Sequence, residues 1–276
     1  MLKLIKFYFG TVSIIYPTLA TNHAFELFKK VRKKDIRDRE KPFYESAERI
    51  DLPFVPEPLH TYTFGNPKND IVLLVHGWDS NAGSLSKFVE PLLAKEKYVI
   101  SLNLPAHAQY TTTKTTIIEC KEALKTVFNT IDTTKKISII SHSFGSAVTG
   151  YALSEMQEIT VDKLFFLTSP NKMDVIFKEF KTIINLGNKA YEKLLYRASQ
   201  LLNEDLKAMY IHDKLITANF NYLHIFHDKN DKIISIKNSE LMESKIPNSD
   251  LTVYENIGHY RMLWNDDLIK DVLAKI

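Results

Sequence analysis

The sequence predicts an α/β fold, in which helices cover a mostly parallel, doubly wound sheet. Strand and helix patterns alternate along most of the 276 residues, and the segments that connect them are short. Several strand patterns, such as DIVLLVHG at 70–77, are continuous apolar runs, which is typical of strands buried on both faces. No repeat of 20 to 50 residues is present, which excludes solenoids and propellers.

The strand patterns are rich in β-branched and aromatic residues, and the turn signal Gly65-Asn66-Pro67 separates the first two. In chain order they are LHTYTF (59–64), DIVLLVHG (70–77), KYVISLNL (97–104), KISIIS (136–141), VDKLFFLTS (161–169), NYLHIFHD (221–228) and LTVYEN (251–256). The helical patterns between and after them repeat apolar residues at spacings of three and four. These are NAGSLSKFVEPLLAKE (81–96), KTTIIECKEALKTVF (114–128), GSAVTGYALSEM (145–156) and YRMLWNDDLIKDVLAKI (260–276).

Two further segments have only helical patterns. About fifty residues, 171–220, separate two strands, which is too long for a plain connection, so we expect a helical cap at the carboxyl edge of the sheet. Residues 1–50 predict an N-terminal helical segment that packs on the domain or lies on a membrane surface, because the helical apolar spacing continues past Pro17. The α/β domain itself is then expected over 51–276.

Composition and charge exclude several classes of function. The net charge of +3 does not favour nucleic acid, and the basic segment 29–41 suggests at most a peripheral membrane contact through residues 1–41. Cys120 is the single cysteine, which excludes an internal disulfide and a cysteine-rich zinc site. We expect a cytoplasmic protein. Membrane association or export is the alternative, because Lys3 and Lys6 followed by an apolar run resemble a short secretory signal.

Three residues with complementary chemistry follow different strands. Ser143 follows KISIIS, Asp228 and Asp231 follow NYLHIF, and His259 lies shortly after LTVYEN. Because ligands bind beyond the carboxyl ends of parallel strands, we expect these side chains to meet. A serine hydroxyl needs a base to take its proton, and the imidazole that does so needs a carboxylate to orient it.

These motifs resemble the α/β-hydrolases in kind and order. The elbow SHSFG at 141–145, the early HGW at 76–78, HDKNDKII at 227–234 and GHYRML at 258–263 match the order of motifs in that superfamily. The segments HGWDSNAGSLSKFVEPLL and LNLPAHAQY are more closely similar to little-characterised bacterial hydrolases. The resemblance covers roughly residues 20–276. Ser141 stands where the elbow pattern usually has glycine, and a small side chain is compatible with the strained turn.

The resemblance implies an α/β-hydrolase fold and roles for individual residues. Ser143 would be the nucleophile, His259 the base and Asp231 the acid, with Asp228 and Asp174 as alternatives for the acid. The backbone N–H groups of Trp78 and Phe144 would form the oxyanion hole, and their side chains would line the acyl pocket. His76, His107 and His142 would shape the surrounding loops. No cofactor and no metal are expected, and no histidine has metal-ligand spacing.

The function expected from this site is that of a carboxylesterase-like serine hydrolase. It would cleave an ester, with a thioester or an amide as the alternative substrate, through an acyl-enzyme on Ser143. A serine at the elbow argues against haloalkane and epoxide hydrolysis, whose intermediates need a carboxylate. The alternatives are an acyltransferase with the same triad and a non-catalytic binding protein on the same fold. Apolar residues of the cap favour an apolar acyl substrate, although such residues also form cap cores: Phe177, Phe180, Leu186, Tyr191, Leu194 and Tyr196.

Overall fold

The protein is built on an eight-stranded sheet with helices in most of the connections. The computed structural model describes residues 1–32 and 35–276; two lysines of the basic segment, Lys33 and Lys34, lie outside the described residues. The strands are β1 (Glu48–Leu52), β2 (Leu59–Phe64), β3 (Ile71–Val75), β4 (Tyr98–Leu102), β5 (Ile137–His142), β6 (Val161–Leu167), β7 (Phe220–Asp228) and β8 (Ser249–Tyr254).

The sheet has the order β1-β2-β4-β3-β5-β6-β7-β8. Strands β3 to β8 pair in parallel, whereas β2 runs antiparallel to both of its neighbours. The predicted α/β fold, with a mostly parallel sheet and helices on its connections, is therefore confirmed. Strands β3 and β5 are buried throughout, as their continuous apolar runs predict.

The helices fall largely where the sequence predicts them. They are α1 (Leu2–Ile15), α2 (Pro17–Phe28), α3 (Lys41–Ser46), α4 (Val89–Ala94), α5 (Ile117–Phe128), α6 (Phe144–Ser154), α7 (Met173–Ile184), α8 (Asn188–Leu202), α9 (Ile211–Ile216), α10 (Lys237–Lys245) and α11 (Asp266–Lys275). Pro17 does not interrupt an element: it begins α2, where its missing N–H costs nothing. No helix within 1–32 or 35–276 is long and apolar enough to cross a membrane.

Two elements differ from the patterns in the sequence. The helix expected over 81–96 begins as a 3₁₀-helix at Ala82–Phe88 and becomes α-helical only as α4. Strand β1 was not predicted, because ERIDL is mostly charged and four of its five residues are exposed. It forms by backbone pairing with β2 at the edge of the sheet, where burial of side chains is not required.

The described chain divides into two compact units. Residues 31–171 and 211–276 form the larger one, which contains the whole sheet. Residues 1–30 and 172–210 form the smaller one, so the first two helices share a unit with α7 and α8. In this smaller unit, Phe28 stacks on Phe177 at 4.2 Å between ring centroids, and the Thr21 hydroxyl donates to the carbonyl of Ala190.

The apolar residues of 171–220 are divided between core and surface. Phe177, Leu186 and Leu194 are buried, whereas Tyr196 is 67% exposed. The ring of Tyr191 lies beneath the Lys181 ammonium, 4.7 Å from it. At least the three buried side chains thus serve the core of their unit.

Candidate active site

The parallel strands bring Ser143, His259 and Asp231 together, all three in the larger unit. Ser143 follows the last residue of β5, Asp231 lies three residues past β7, and His259 lies five residues past β8. Because β5 to β8 are neighbours that run in parallel, their carboxyl ends share one edge of the sheet. Residues separated by more than 100 positions in sequence therefore meet at this edge.

Ser143 occupies a strained turn between β5 and α6. Its backbone has φ 52° and ψ −120°, a conformation that residues with a Cβ rarely adopt. The turn is held by the Ser143 N–H, which donates to the carbonyl of Leu167 at 2.9 Å, and by the Ser146 N–H, which donates back to the Ser143 carbonyl at 2.9 Å. Ser143 itself is partly exposed.

The small residues around this turn are required by close backbone contacts. A Cβ on Gly145 would lie 2.5 Å from the carbonyl oxygens of both Val75 and His76, so no other residue fits there without displacing the main chain. Ser141 is fully buried, and its hydroxyl donates to the Ser146 hydroxyl at 3.3 Å. The missing glycine is therefore replaced by a side chain that has its own hydrogen-bond partner.

A chain of hydrogen bonds links the three predicted catalytic residues. His259 Nε2 lies 3.0 Å from Ser143 Oγ, and His259 Nδ1 lies 2.7 Å from Asp231 Oδ2. The side chains of His259 and Asp231 are only 3% and 0% exposed. With Nδ1 donating to the carboxylate, Nε2 is left as an acceptor for the serine proton, which is the tautomer that a general base needs.

The Asp231 carboxylate is held in its charged form. Burial raises its pKa, but the hydrogen bond and charge of His259 and the backbone N–H groups of Ile233 and Ile234 outweigh burial, so the pKa lies below its usual value. Those two N–H groups donate to Asp231 Oδ1 at 2.7 and 3.1 Å. Asp231 Oδ1 thus holds the loop after β7, and Oδ2 faces the imidazole of His259.

Asp228 has a different set of partners. Its carboxylate accepts the N–H groups of Asn230 at 2.7 Å, of Gly258 at 2.7 Å and of Ile257. It ties the loop after β7 to the segment that carries His259. Asp174, the third alternative for the acid, lies in α7 of the smaller unit and pairs with Lys172 at 3.3 Å. Among the three candidate acids, the structure brings Asp231 to the imidazole.

Trp78 and Phe144, whose backbone N–H groups are expected to form the oxyanion hole, lie next to each other in the structure. Their rings contact each other edge to face at 5.1 Å, so the loop after β3 and the start of α6 are adjacent. Among the residues described, no protein group accepts the backbone N–H of either one, which leaves both free for a ligand oxygen. The turn at Trp78 is fixed by its buried neighbour Asp79, whose carboxylate accepts the Arg32 N–H and Nε at 2.7 Å each.

Three histidines near the elbow are buried and held in their neutral form. Burial, together with the nearby His259, lowers the pKa of His142 to about 3. Burial likewise lowers the pKa of His107 to about 4 and takes that of His76 well below its usual value. His142 Nε2 lies 3.1 Å from the His259 carbonyl, so its N–H secures the backbone of that residue.

His227 is a further member of the site that the sequence patterns did not single out. It is the penultimate residue of β7, its side chain is fully buried, and its Nε2 lies 3.6 Å from Asp231 Oδ2. Nε2 also lies 2.9 Å from the Ile234 carbonyl, and Nδ1 lies 2.6 Å from the Ser239 hydroxyl. Only its place beside Asp228 at a strand end could have indicated this role, because each of its contacts is made in the folded state.

Within the described ranges 1–32 and 35–276, no group of three or more His, Cys, Asp and Glu side chains is arranged to hold a metal. Cys120 is buried in α5, and burial raises the pKa of its thiol to about 12. A thiol of this kind is not a reactive nucleophile.

Several solved structures share this fold. An esterase from Pyrococcus furiosus is 17% identical, with a TM-score of 0.63 over 89% of this chain and 96% of that one. A lipase-esterase related protein from Clostridium acetobutylicum is 21% identical, with a TM-score of 0.59 over 79% and 97%. The thioesterase domain from the curacin biosynthetic pathway is 11% identical, with a TM-score of 0.60 over 83% and 98%. No curated protein matches the chain.

Residues 59–244, about two thirds of the chain, match the sequence family described as "Alpha/beta hydrolase of unknown function (DUF900)". The matched range includes Ser143 and Asp231 and ends before His259. With the eight-stranded sheet, this match bears out the resemblance to α/β-hydrolases. The chain therefore belongs to this family of α/β-hydrolases, and hydrolase is the class of enzyme that the membership assigns to it.

Proposed function

We propose that this protein is a serine esterase that cleaves a carboxylic ester through an acyl-enzyme on Ser143. The observation that carries the proposal is the continuous hydrogen-bond chain from Ser143 Oγ through His259 to Asp231, with distances of 3.0 and 2.7 Å. It starts at a serine whose strained turn presents the hydroxyl at a partly exposed position.

In the first half of the reaction, Ser143 Oγ attacks the acyl carbon while His259 Nε2 takes its proton. The carbonyl π electrons move to the oxygen, which becomes negatively charged. Asp231 stabilises the imidazolium through the Nδ1 hydrogen bond and remains ionised. The free N–H groups of Trp78 and Phe144 are the donors proposed for the oxyanion, and such a donor typically stabilises the transition state by about 3 kcal/mol.

The tetrahedral intermediate then collapses and the bond to the leaving oxygen breaks. His259 returns its proton to that oxygen, so an alcohol departs and the acyl group stays on Ser143. In the second half, His259 takes a proton from water, the hydroxide oxygen attacks the acyl carbon, and Ser143 leaves with the proton from His259. The sum is ester plus water to acid plus alcohol, with no redox change and no cofactor consumed.

An ester, rather than a thioester or amide, is proposed as the substrate, with an apolar acyl group. An alkoxide is a better leaving group than an amine anion, which favours an ester over an amide, and the thioester is left to the test below. The side chains of Trp78 and Phe144, which contact each other beside Ser143, are the proposed apolar wall for the acyl group. The same acyl-enzyme could pass its acyl group to an alcohol, which is the acyltransferase alternative.

The test is labelling with a fluorophosphonate, followed by turnover of p-nitrophenyl esters of graded acyl length. We expect one label per chain on Ser143 and hydrolysis that loses at least about 10⁴-fold in kcat in Ser143→Ala. Ser154→Ala is the matched control, because Ser154 lies at the other end of α6 and donates only to the Tyr151 carbonyl. This control should keep both labelling and turnover.

Each alternative has its own outcome in this test. Absence of labelling in the wild type, or labelling that persists in Ser143→Ala, would identify a non-catalytic binding protein or a different nucleophile. If adding an alcohol yields the new ester in preference to the free acid, the protein is an acyltransferase. Hydrolysis of the matched thioester in preference to the ester would reassign the substrate class.

A further inference from the structure

Helix α1 has two opposite apolar faces. One face packs inside the smaller unit: Phe9 and Ser13 are buried, and the Ser13 hydroxyl accepts the N–H of Gly187 at 3.0 Å. The other face carries Leu4, Phe7 and Ile14, whose spacings of three and seven residues place them in one row. These three side chains are 74%, 74% and 82% exposed. A surface helix normally has polar residues on its outer face, so the fold alone does not account for this row.

The exposed apolar surface continues beyond α1. Ile15, Tyr16 and Leu19, at the junction of α1 and α2, are 60%, 63% and 44% exposed. Among the described residues, eleven of the nineteen large hydrophobic side chains that are exposed belong to residues 1–30 and 172–210, which make up a quarter of the chain. Single exposed hydrophobics are ordinary, but a concentration of this kind marks a binding surface.

Positive charge is concentrated in the same unit. Lys3 and Lys6 are exposed on α1, and residues 1–25 contain no Asp or Glu. Residues 1–30 and 172–210 contain eleven Lys or Arg and six Asp or Glu, a net charge of +5. The whole chain has a net charge of +3, so the remaining residues sum to −2. The basic character of this protein is thus a property of the smaller unit.

We propose that the outer face of α1, formed by Leu4, Phe7 and Ile14 with Lys3 next to the same row and the exposed Lys6 at its flank, binds the surface of a bilayer that contains anionic phospholipid. The helix lies in the plane of the interface, its apolar row reaches the acyl boundary, and the two ammonium groups meet lipid phosphates. The charge argues against a second copy of this chain as the occupant, because a symmetric pair would bring two units of +5 together. This inference is independent of the proposed esterase activity.

The experiment measures cosedimentation of the full chain with extruded vesicles, one set of phosphatidylcholine alone and one with 30% phosphatidylglycerol. We expect binding to the anionic vesicles that is at least about tenfold tighter than to the neutral ones and that weakens in 0.5 M salt. Lys3→Gln/Lys6→Gln should weaken binding to the anionic vesicles by about 10- to 30-fold. Leu4→Ser/Phe7→Ser/Ile14→Ser should weaken binding to both kinds of vesicle by about 100-fold or more.

The matched control is Ile216→Ser/Val253→Ser, which removes two exposed apolar side chains, 60% and 47% exposed, from the larger unit. It should bind both vesicles as the wild type does. Circular dichroism and thermal unfolding verify that each variant is folded. If the triple serine variant does not fold, the lysine variant, which keeps the apolar row, still tests the proposal. Hydrolysis of a soluble ester is measured in parallel, so that loss of membrane binding and loss of catalysis are told apart.

Three results would overturn the proposal. Wild-type protein that stays in the supernatant with both vesicles excludes a membrane surface. Equal binding to neutral and anionic vesicles excludes the recognition of lipid charge. A wild-type dimer in light scattering that the triple serine variant converts to a monomer, with no vesicle binding, would instead identify this face as a contact between copies of the chain.

Discussion

At the scale of single residues, the elbow combines a strained serine with neighbours that tolerate it. A non-glycine residue with φ 52° costs about 1–3 kcal/mol, and such a cost persists only where the surroundings fix the backbone. Here the backbone hydrogen bonds of Ser143 and the close approach of Gly145 to β3 fix it. Ser143 is thus held with its hydroxyl at hydrogen-bond distance from His259 before any substrate binds.

Gly145→Ala should destabilise the protein by about 3 kcal/mol or more, because the new Cβ would meet two backbone carbonyl oxygens at 2.5 Å. Urea unfolding measures the loss. Gly10→Ala is the control: its Cβ would meet only the side-chain amide of Asn185, which is exposed and can move. Gly10→Ala should change the free energy of unfolding by less than about 1 kcal/mol. Equal losses in the two variants would contradict this account of Gly145.

The two carboxylates after β7 should be separable by mutation. Asp231→Asn should lower kcat by about 10⁴-fold, because an amide no longer favours the tautomer with a free Nε2 and no longer stabilises the imidazolium. Asp228→Asn should mainly lower the free energy of unfolding, by about 1–3 kcal/mol, since Asp228 accepts three backbone N–H groups. Measuring kcat and urea unfolding for both variants tests the assignment. A larger loss of kcat in Asp228→Asn than in Asp231→Asn would reverse the two roles.

At the scale of elements, two helices begin at side chains that replace missing backbone partners. Helix α5 begins with a capping box, in which the Thr116 hydroxyl accepts the N–H of Glu119 and the Glu119 carboxylate accepts the N–H of Thr116. Asn265 caps α11 through the N–H of Leu268. Helix α5 begins three residues after the start of its helical pattern at 114, and α11 begins six residues after the start of its pattern at 260, in each case directly after the capping residue.

Thr116→Ala should lower the free energy of unfolding by about 1 kcal/mol, because the N–H of Glu119 at the start of α5 loses its acceptor, the Thr116 hydroxyl. The control is Thr126→Ala in the same helix. The Thr126 hydroxyl only bonds back to the Glu122 carbonyl, and alanine is the better helix former, so this variant should be neutral or slightly stabilising. Urea unfolding of the two variants measures the difference. If Thr126→Ala lowers the free energy of unfolding as much as Thr116→Ala does, the stabilising role of the capping box is refuted.

At the scale of the whole molecule, buried neutral histidines make the folded state sensitive to acid. The unfolded chain binds protons on histidine below a pKa of about 6.5, whereas His107 in the folded state binds one only below about 4. Protons therefore favour the unfolded state as the pH falls through this window. The free energy of unfolding should fall with a slope that approaches about 1.4 kcal/mol per pH unit for each such histidine.

His107→Asn should remove its share of this acid sensitivity. Between pH 7 and pH 5 the free energy of unfolding should fall by about 2 kcal/mol less in the variant than in the wild type. Asparagine can still donate to the Pro105 carbonyl, as His107 Nδ1 does at 2.9 Å. Urea titrations at the two pH values give the four free energies required. If the free energy of unfolding falls equally in the variant and in the wild type between pH 7 and pH 5, His107 does not titrate differently in the folded and unfolded states.

The sequence determined the α/β class, the order of most elements and three of the residues that meet at the site. Continuous apolar runs require burial on both faces, and parallel strands bring their carboxyl ends to one edge, so Ser143, Asp231 and His259 could be expected there. It also left Asp228 and Asp174 as alternatives to Asp231. Strand β1 could not be predicted from ERIDL, because an edge strand is formed by backbone pairing rather than by an apolar pattern.

Only the tertiary structure decided which carboxylate faces the imidazole, because that depends on loop conformations fixed by backbone N–H groups. It also decided that Ser141 can stand in place of glycine, through its contact with Ser146, and that His227 lies against Asp231. The grouping of α1 and α2 with α7 and α8 is likewise invisible in the sequence, where the segments lie more than 140 residues apart. Local patterns specify elements, whereas contacts between distant segments exist only after the chain has folded.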